Sequence, residues 1–169
     1  MDAIKAILTR RSIRTYQKTP LTEEILTTLL KAAMSAPSAG NEQPWHFIII
    51  TDTKTINKIP SFHTHAAMLK NTPTALLICG DTHLDKHAGM WIQDCAGSTE
   101  NILIAAQALH LGSVWLGVFP REERITGLRN LLNIPDHIIP FALVAIGYPA
   151  EEKPAANRYN KERIHYNTW

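Results

Sequence analysis

Residues 88–111 carry the longest helical pattern of the chain, and apolar or small side chains run around most of its girth. Ile92, Ile102, Leu103 and Leu109 supply bulk, while Ala96, Gly97, Ser98, Ala105, Ala106 and Ala108 let another backbone come close. A helix with one apolar stripe can lie on a surface, but one that is apolar nearly all round must be covered on several sides. The cover is either a sheet with further helices or a second subunit, and a dimer core is the expectation here. Asp94, Glu100 and Asn101 on this helix then need polar partners. Gly112 ends it.

Shorter elements surround that pattern. Asp2 caps a helix to about Thr9, with Ile4, Ile7 and Leu8 on one side. Thr22 caps a second, in which Ile25, Leu26, Leu29, Leu30 and Ala33 recur at helical spacing before Pro37 stops it. Trp45 to Ile50 is a continuous aromatic and β-branched run, which predicts a strand buried on both faces. Residues 53–70 read as helical pieces. Further strands are predicted over Thr74 to Gly80, Ser113 to Val118 and Phe141 to Ile146, with a helix from Pro120 through Leu132 that stops before Pro135. Gly117 weakens its strand unless something must approach the backbone closely. The polar tail 150–169 bears Lys153, Arg158, Lys161 and Arg163 and ends in aromatic residues, the mark of a segment that docks on something.

Composition limits the function classes. The 169 residues, 45% apolar and 19% charged, fit one domain, 1–169, with a real core. A net charge of +2 and pI near 8.6 give no basic face for nucleic acid. Cys79 and Cys95 form no C-x-x-C and no disulfide framework, which suits a reducing compartment. The start of the chain lacks the uninterrupted apolar core of a secretory signal, and Gln107, His110 and Gly112 break the longest apolar stretch. A cytoplasmic protein without a membrane span is expected.

Three stretches carry chemistry. Ala36-Pro-Ser-Ala-Gly-Asn-Glu-Gln-Pro-Trp45 joins a helix to a core strand; its prolines fix the backbone, Gly40 permits positive φ, and Ser38, Asn41 and Gln43 offer hydrogen bonds. Arg10, Arg11, Ser12 and Arg14 place three guanidinium groups and a hydroxyl within five residues, either a phosphate clamp or a solvated basic turn. His63 and His65, and the interleaved Asp81, His83, Asp85 and His87, raise a metal site, but their spacings match no complete ligand set and no metal is expected.

With these residues in view, the chain resembles the FMN-dependent nitroreductase family. The resemblance rests on four blocks in the family's order: residues 10–14, Pro37 to Trp45, Gly112 to Gly117, and Gly147-Tyr148-Pro149 followed by the basic tail. It implies an α+β fold with a mainly antiparallel central sheet flanked by helices, forming an intertwined homodimer with FMN at the subunit interface and the 150–169 tail docked on the dimer. Arg10, Ser12 and Arg14 would hold the FMN phosphate and ribityl chain, with Arg11 nearby and Arg158 joining from the tail. Pro37, Ser38, Ala39 and Asn41 would reach the flavin held mainly by the other subunit, and Gln43 the ring or ribityl. Trp115, Leu116 and Gly117 would lie against the isoalloxazine.

The implied activity is ping-pong reduction of nitroaromatics, quinones or similar small electron-poor acceptors by NADH or NADPH through flavin N5, with no side chain as catalytic acid or base. Arg10 is the candidate cation near N1. Some larger relatives place a lysine by the flavin where this chain has Ala66-Ala67-Met68. The same blocks also fit a non-catalytic flavin-binding or redox-sensing protein, or reductive dehalogenation on the same fold.

Overall fold

The computed structural model describes residues 1–169 and holds four strands and five α-helices. In chain order they are α1 (Ala3–Thr9), α2 (Glu23–Met34), β1 (Trp45–Ile50), α3 (Thr53–Ile56), β2 (Thr74–Asp81), α4 (Trp91–Ala108), β3 (Gly112–Gly117), α5 (Glu122–Leu132) and β4 (Ile138–Gly147). Short 3-10 turns fill the span between α3 and β2. The expected caps are present: Asp2 accepts from Lys5 N–H, and Thr22 accepts from Ile25 N–H.

The sheet runs β1-β2-β4-β3, and every neighbouring pair is antiparallel. Alternation along the two central strands divides the core. Leu77, Cys79, Leu143 and Ala145 face a cluster built with α5 and the 3-10 turns, while Leu76, Ile78, Val144 and Ile146 face one built with α2 and α4. The fold is therefore α+β with an antiparallel sheet flanked by helices, as expected.

Three boundaries differ from the sequence reading. β1 is an edge strand that pairs only with β2, so His46 and Ile49 are exposed rather than buried on both faces. Its apolar run does not reveal which strand lacks a second neighbour. β4 begins at Ile138, ahead of Pro140, because that proline lies beyond the end of β3 and opposite a register shift at Ile78/Cys79. A proline that cannot donate is tolerated where the ladder is already interrupted. α4 starts at Trp91 rather than Ala88, since Gly89 takes φ +85° and Asp85 accepts from Gly89 N–H at 2.6 Å.

Helix α4 is covered in large part by its own chain, with Ile92, Ile104 and Ala105 half-buried. It packs against α1, α2 and all four strands, and within Trp91–Ala108 only Gln93 is exposed. Its polar residues are partnered in part: Asp94 Oδ1 accepts from Ala39 N–H at 3.1 Å, Asn101 Nδ2 donates to Ala32 O at 3.0 Å, and Glu100 lies 3.5 Å from Arg10, while Asp94 Oδ2 and Ser98 Oγ have no partner in the chain. At its start Trp91 lies over Gly80 so closely that a Cβ there would be 2.2 Å from the indole, and Phe119 and Phe141 meet the same indole edge-on.

Replacing Gly80 with alanine is therefore expected to cost about 1–3 kcal/mol through overpacking. The measurement is a lowered urea midpoint at unchanged m-value; an unchanged midpoint would show that Trp91 shifts freely.

Candidate functional site

The segment after α1 runs extended beside β3. Ile13 N–H donates to Ser113 O at 3.0 Å, and Ser12 bridges Ser113 in parallel. Tyr16 closes the segment: its buried phenol donates to Ile13 O and Ala145 O, and burial pushes its pKa well above the usual value.

That path sends the three arginines in different directions. Arg10 reaches Glu100 on α4. Arg11 donates to the carbonyls of Leu8, Arg10 and Pro154 and lines a surface hollow with Gln107 and His110. Arg14 is exposed, and its guanidinium makes a long contact of 3.4 Å to Ser12 O. The Arg14 backbone is fixed from behind: Glu151 Oε1 accepts from the N–H groups of Arg14 and Thr15, and these bonds, with Lys153 beside them, hold the carboxyl below the usual range. The tail is thus docked on its own chain at Ala150 to Pro154, while Arg158 is exposed among Asn157 to Arg163 and away from Arg14.

Arg14 opens onto a cavity of about 480 Å³ lined by His63, His65, Met68, Trp115, Leu116, Gly117 and Arg124. Four chain segments meet here. The carbonyl of Gly117 accepts twice, from Arg124 Nη1 at 2.6 Å and from His63 Nε2 at 3.0 Å. A carbonyl can only accept, so Nε2 carries the proton in that contact. His63 is almost wholly buried, its Nδ1 has no partner, and burial with the Arg124 charge lowers its pKa. A Cβ built on Gly117 would meet nothing within 4 Å, so packing within the chain does not demand glycine there. Two cations, an indole and a peptide left open by a missing side chain suit a planar group bearing a phosphate.

The Pro37–Gln43 residues do not line this cavity. Their loop is held at the start of α4, where Ser38 Oγ accepts from Gln43 N–H at 3.0 Å and Ala39 is anchored on Asp94. Glu42 Oε1 meets His87 Nδ1 at 2.6 Å and accepts from Lys86 N–H at 3.1 Å. Gly40, Asn41 and Gln43 all have positive φ, and a side chain on Gly40 would strike the His87 ring. Gly40, Asn41 and Gln43 are exposed, and Gln43 Nε2 donates back to Asn41 Oδ1 at 3.1 Å.

Of the residues named from sequence, Arg14, Trp115, Leu116 and Gly117 share one cavity. Arg10, Arg11, Ser12, Arg158 and the Pro37–Gln43 loop lie outside its lining in the single chain. His63 and Arg124 carry the cavity's most specific contacts. His63 stands out in the sequence only as one of a histidine pair, and no local signal singles out Arg124.

Comparison with known proteins agrees with this fold. The Nitroreductase family profile matches residues 7–79 and 62–148. The chain belongs to the nitroreductase family. A relative from Archaeoglobus fulgidus, provisionally named an NADH dehydrogenase/NAD(P)H nitroreductase, is 49% identical over 172 residues, covering 99% of this chain and 99% of that protein. A crystal structure under the same provisional name, from Parabacteroides distasonis, superposes with TM-score 0.95 at 38% identity over 99% of this chain and 98% of the other. An FMN-dependent nitroreductase from Clostridium difficile superposes with TM-score 0.90 at 30% identity, covering 98% and 99%. The cavity therefore sits on a backbone framework shared with these nitroreductases.

His63 gives a pH prediction. Its pKa is depressed in the folded state, so the unfolded chain binds a proton first as pH falls below about 6.5, and stability contributed above that value is lost toward the folded pKa. The thermal midpoint is expected to fall from pH 7 to pH 5 by less in His63→Gln, whose amide keeps a donor for Gly117, than in the parent; equal slopes would remove His63 as a cause.

Proposed function

We propose that this chain is an FMN-dependent oxidoreductase that takes reducing equivalents from NADH or NADPH and passes them to small electron-poor acceptors such as nitroaromatics or quinones. The observation that carries the reading is the cavity in which Arg14, Trp115, Gly117 and Arg124 converge from distant parts of the chain. When bound, FMN supplies the redox chemistry, accepting and donating a hydride at N5.

The residues present divide the remaining work. Arg14 meets the phosphate as a cation with a planar donor fork. Trp115, held edge-on by Phe141 at 5.8 Å between centroids, gives the ring a fixed apolar wall. His63 and Arg124 lock the Gly117 peptide, so the backbone facing the ring does not reorganise as charge develops there. The relatives' lysine position is filled by Ala66, Ala67 and Met68, and Arg124 brings the second positive charge to the cavity instead. The two substrates use the same open face in turn, which is a ping-pong order.

The working unit is a homodimer. Ile4, Ile7 and Leu8 of α1 are exposed at 62%, 49% and 67%, and Tyr166 and Trp169 of the tail at 82% and 100%. Apolar groups clustered in this way belong at an interface. A second copy also brings a Pro37–Gln43 loop and the Arg158 segment to the cavity that one chain leaves incomplete. A reducing, cytoplasmic setting suits the two buried thiols, which burial holds well above the usual pKa, that of Cys79 at about 12. No helix is long and apolar enough to cross a membrane.

Protein loaded with FMN and desalted is expected to keep its flavin absorbance and to bleach under anaerobic NADH or NADPH. Retained flavin that stays oxidised with both nucleotides would favour a non-catalytic role. Arg14→Ala removes a charge-assisted contact of about 1.5–3 kcal/mol and is expected to weaken FMN binding by about 10- to 100-fold. Unchanged affinity would take Arg14 out of the site.

A further inference from the structure

The link after β2 and the link before β4 bring Asp81, His83 and His137 together, none of which belongs to the flavin cavity. One ligating atom from each lies within 4.8 Å of the others. The chain holds these positions from several sides. Asp81 N–H donates to Pro44 O at 2.7 Å, and Thr82 donates to His137 O from its backbone at 3.0 Å and its hydroxyl at 2.9 Å. His83 N–H donates to Asp81 Oδ1 at 2.8 Å. Arg129 Nη2 grips the chain on either side of His137, donating to Asp136 O at 3.2 Å and Ile138 O at 3.1 Å.

The rings of His83 and His137 are stacked, 4.4 Å between centroids with planes 4° apart. Ring lone pairs lie in the ring plane, so in this parallel arrangement one of the two rings must turn before both can reach the same ion. On the far side, His46 Nε2 lies 3.5 Å from Asp81 Oδ2. A histidine against the free oxygen of a ligating carboxylate fixes its orientation.

We infer that Asp81, His83 and His137 form a binding site for one divalent transition-metal ion of the zinc class, with His46 orienting the carboxylate. Two imidazoles and a carboxylate suit zinc, nickel or copper, whereas calcium and magnesium favour oxygen ligands alone. Bond lengths of about 2.0–2.2 Å to a tetrahedral ion require ligand atoms somewhat closer than the observed limit. The exposed His83 side chain is free to supply that closure by a rotamer change. Three protein ligands leave a fourth position for water or a small ligand, and Asp81 and His137 also line an adjoining cavity of about 400 Å³ with Phe47, Ile134 and Ile138. An ion here ties the end of β2 to the start of β4 across a site that neither strand completes alone.

The test is titration of the FMN-loaded, chelator-treated full chain with Zn²⁺ alone by calorimetry, repeated with variants. One saturable equivalent per chain is expected. His83→Ala and His137→Ala are each expected to weaken it by more than about 100-fold, and His46→Gln by about tenfold, since supporting residues cost about 10–100-fold. His110→Ala, on an exposed histidine elsewhere, is expected to bind as the parent does. Flavin retention reports that each variant is folded, and His83→Ala decides if His137→Ala is not. No saturable equivalent, or an affinity unchanged by His83→Ala, would overturn the site.

Discussion

The fit of α4 against the sheet is the constraint on which the rest of the structure depends. Trp91 occupies the space that a side chain at position 80 would fill, so the start of the helix is fixed to the end of β2 at close range. Three residues further, Asp94 takes the backbone of Ala39, and the Pro37–Gln43 loop is thereby tied to the same helix. The loop does not need contacts of its own to be rigid. Its glycine and left-handed residues bring its own Glu42 onto His87, and the buried helix supplies the anchor.

On the opposite face of the sheet, rigidity comes from a single carbonyl. Gly117 O accepts from a histidine delivered by the 3-10 turns and from an arginine delivered by α5, so three separate elements agree on the position of one peptide. Hydrogen bonds that involve a charged donor in a partly enclosed site are stronger than neutral ones. The histidine stays neutral because it is buried and beside that arginine, which leaves Arg14 and Arg124 as the lasting positive charges of the cavity.

Much of this was legible in the chain where the cause is local. Asp2 and Thr22 cap the helices their side chains suggest, and the small residues of 96–108 mark a helix that is covered nearly all round. The chain's own sheet and helices supply part of that cover, and Ile92, Ile104 and Ala105 stay partly exposed, which leaves room for a partner subunit. Edge and central strands were equally unreadable: β1 has the composition of a buried strand but lacks a second neighbour. Arg11 looked like a phosphate ligand because its chemistry fits, yet its donors go to three carbonyls, one of them 143 residues away. His137 approaches Asp81 and His83 only through the β2–β4 register, so no local spacing could have joined the three. What sequence reading misses is consistently pairing at long range.

The division of the site between two places in one chain has a thermodynamic consequence. In the proposed homodimer, one ligand would bridge the cavity of one copy and the Pro37–Gln43 loop of the other, and the exposed apolar residues of α1 would hold the copies together. A ligand bound across such an interface stabilises the associated state by mass action, so cofactor binding and assembly reinforce each other. The coupling is reciprocal: whatever tightens the dimer also lowers the cofactor concentration needed to fill it. Rigid parts are what make this linkage efficient. Because Gly117 and the Pro37–Gln43 loop are already ordered within each chain, little conformational entropy remains to be lost when the two halves meet.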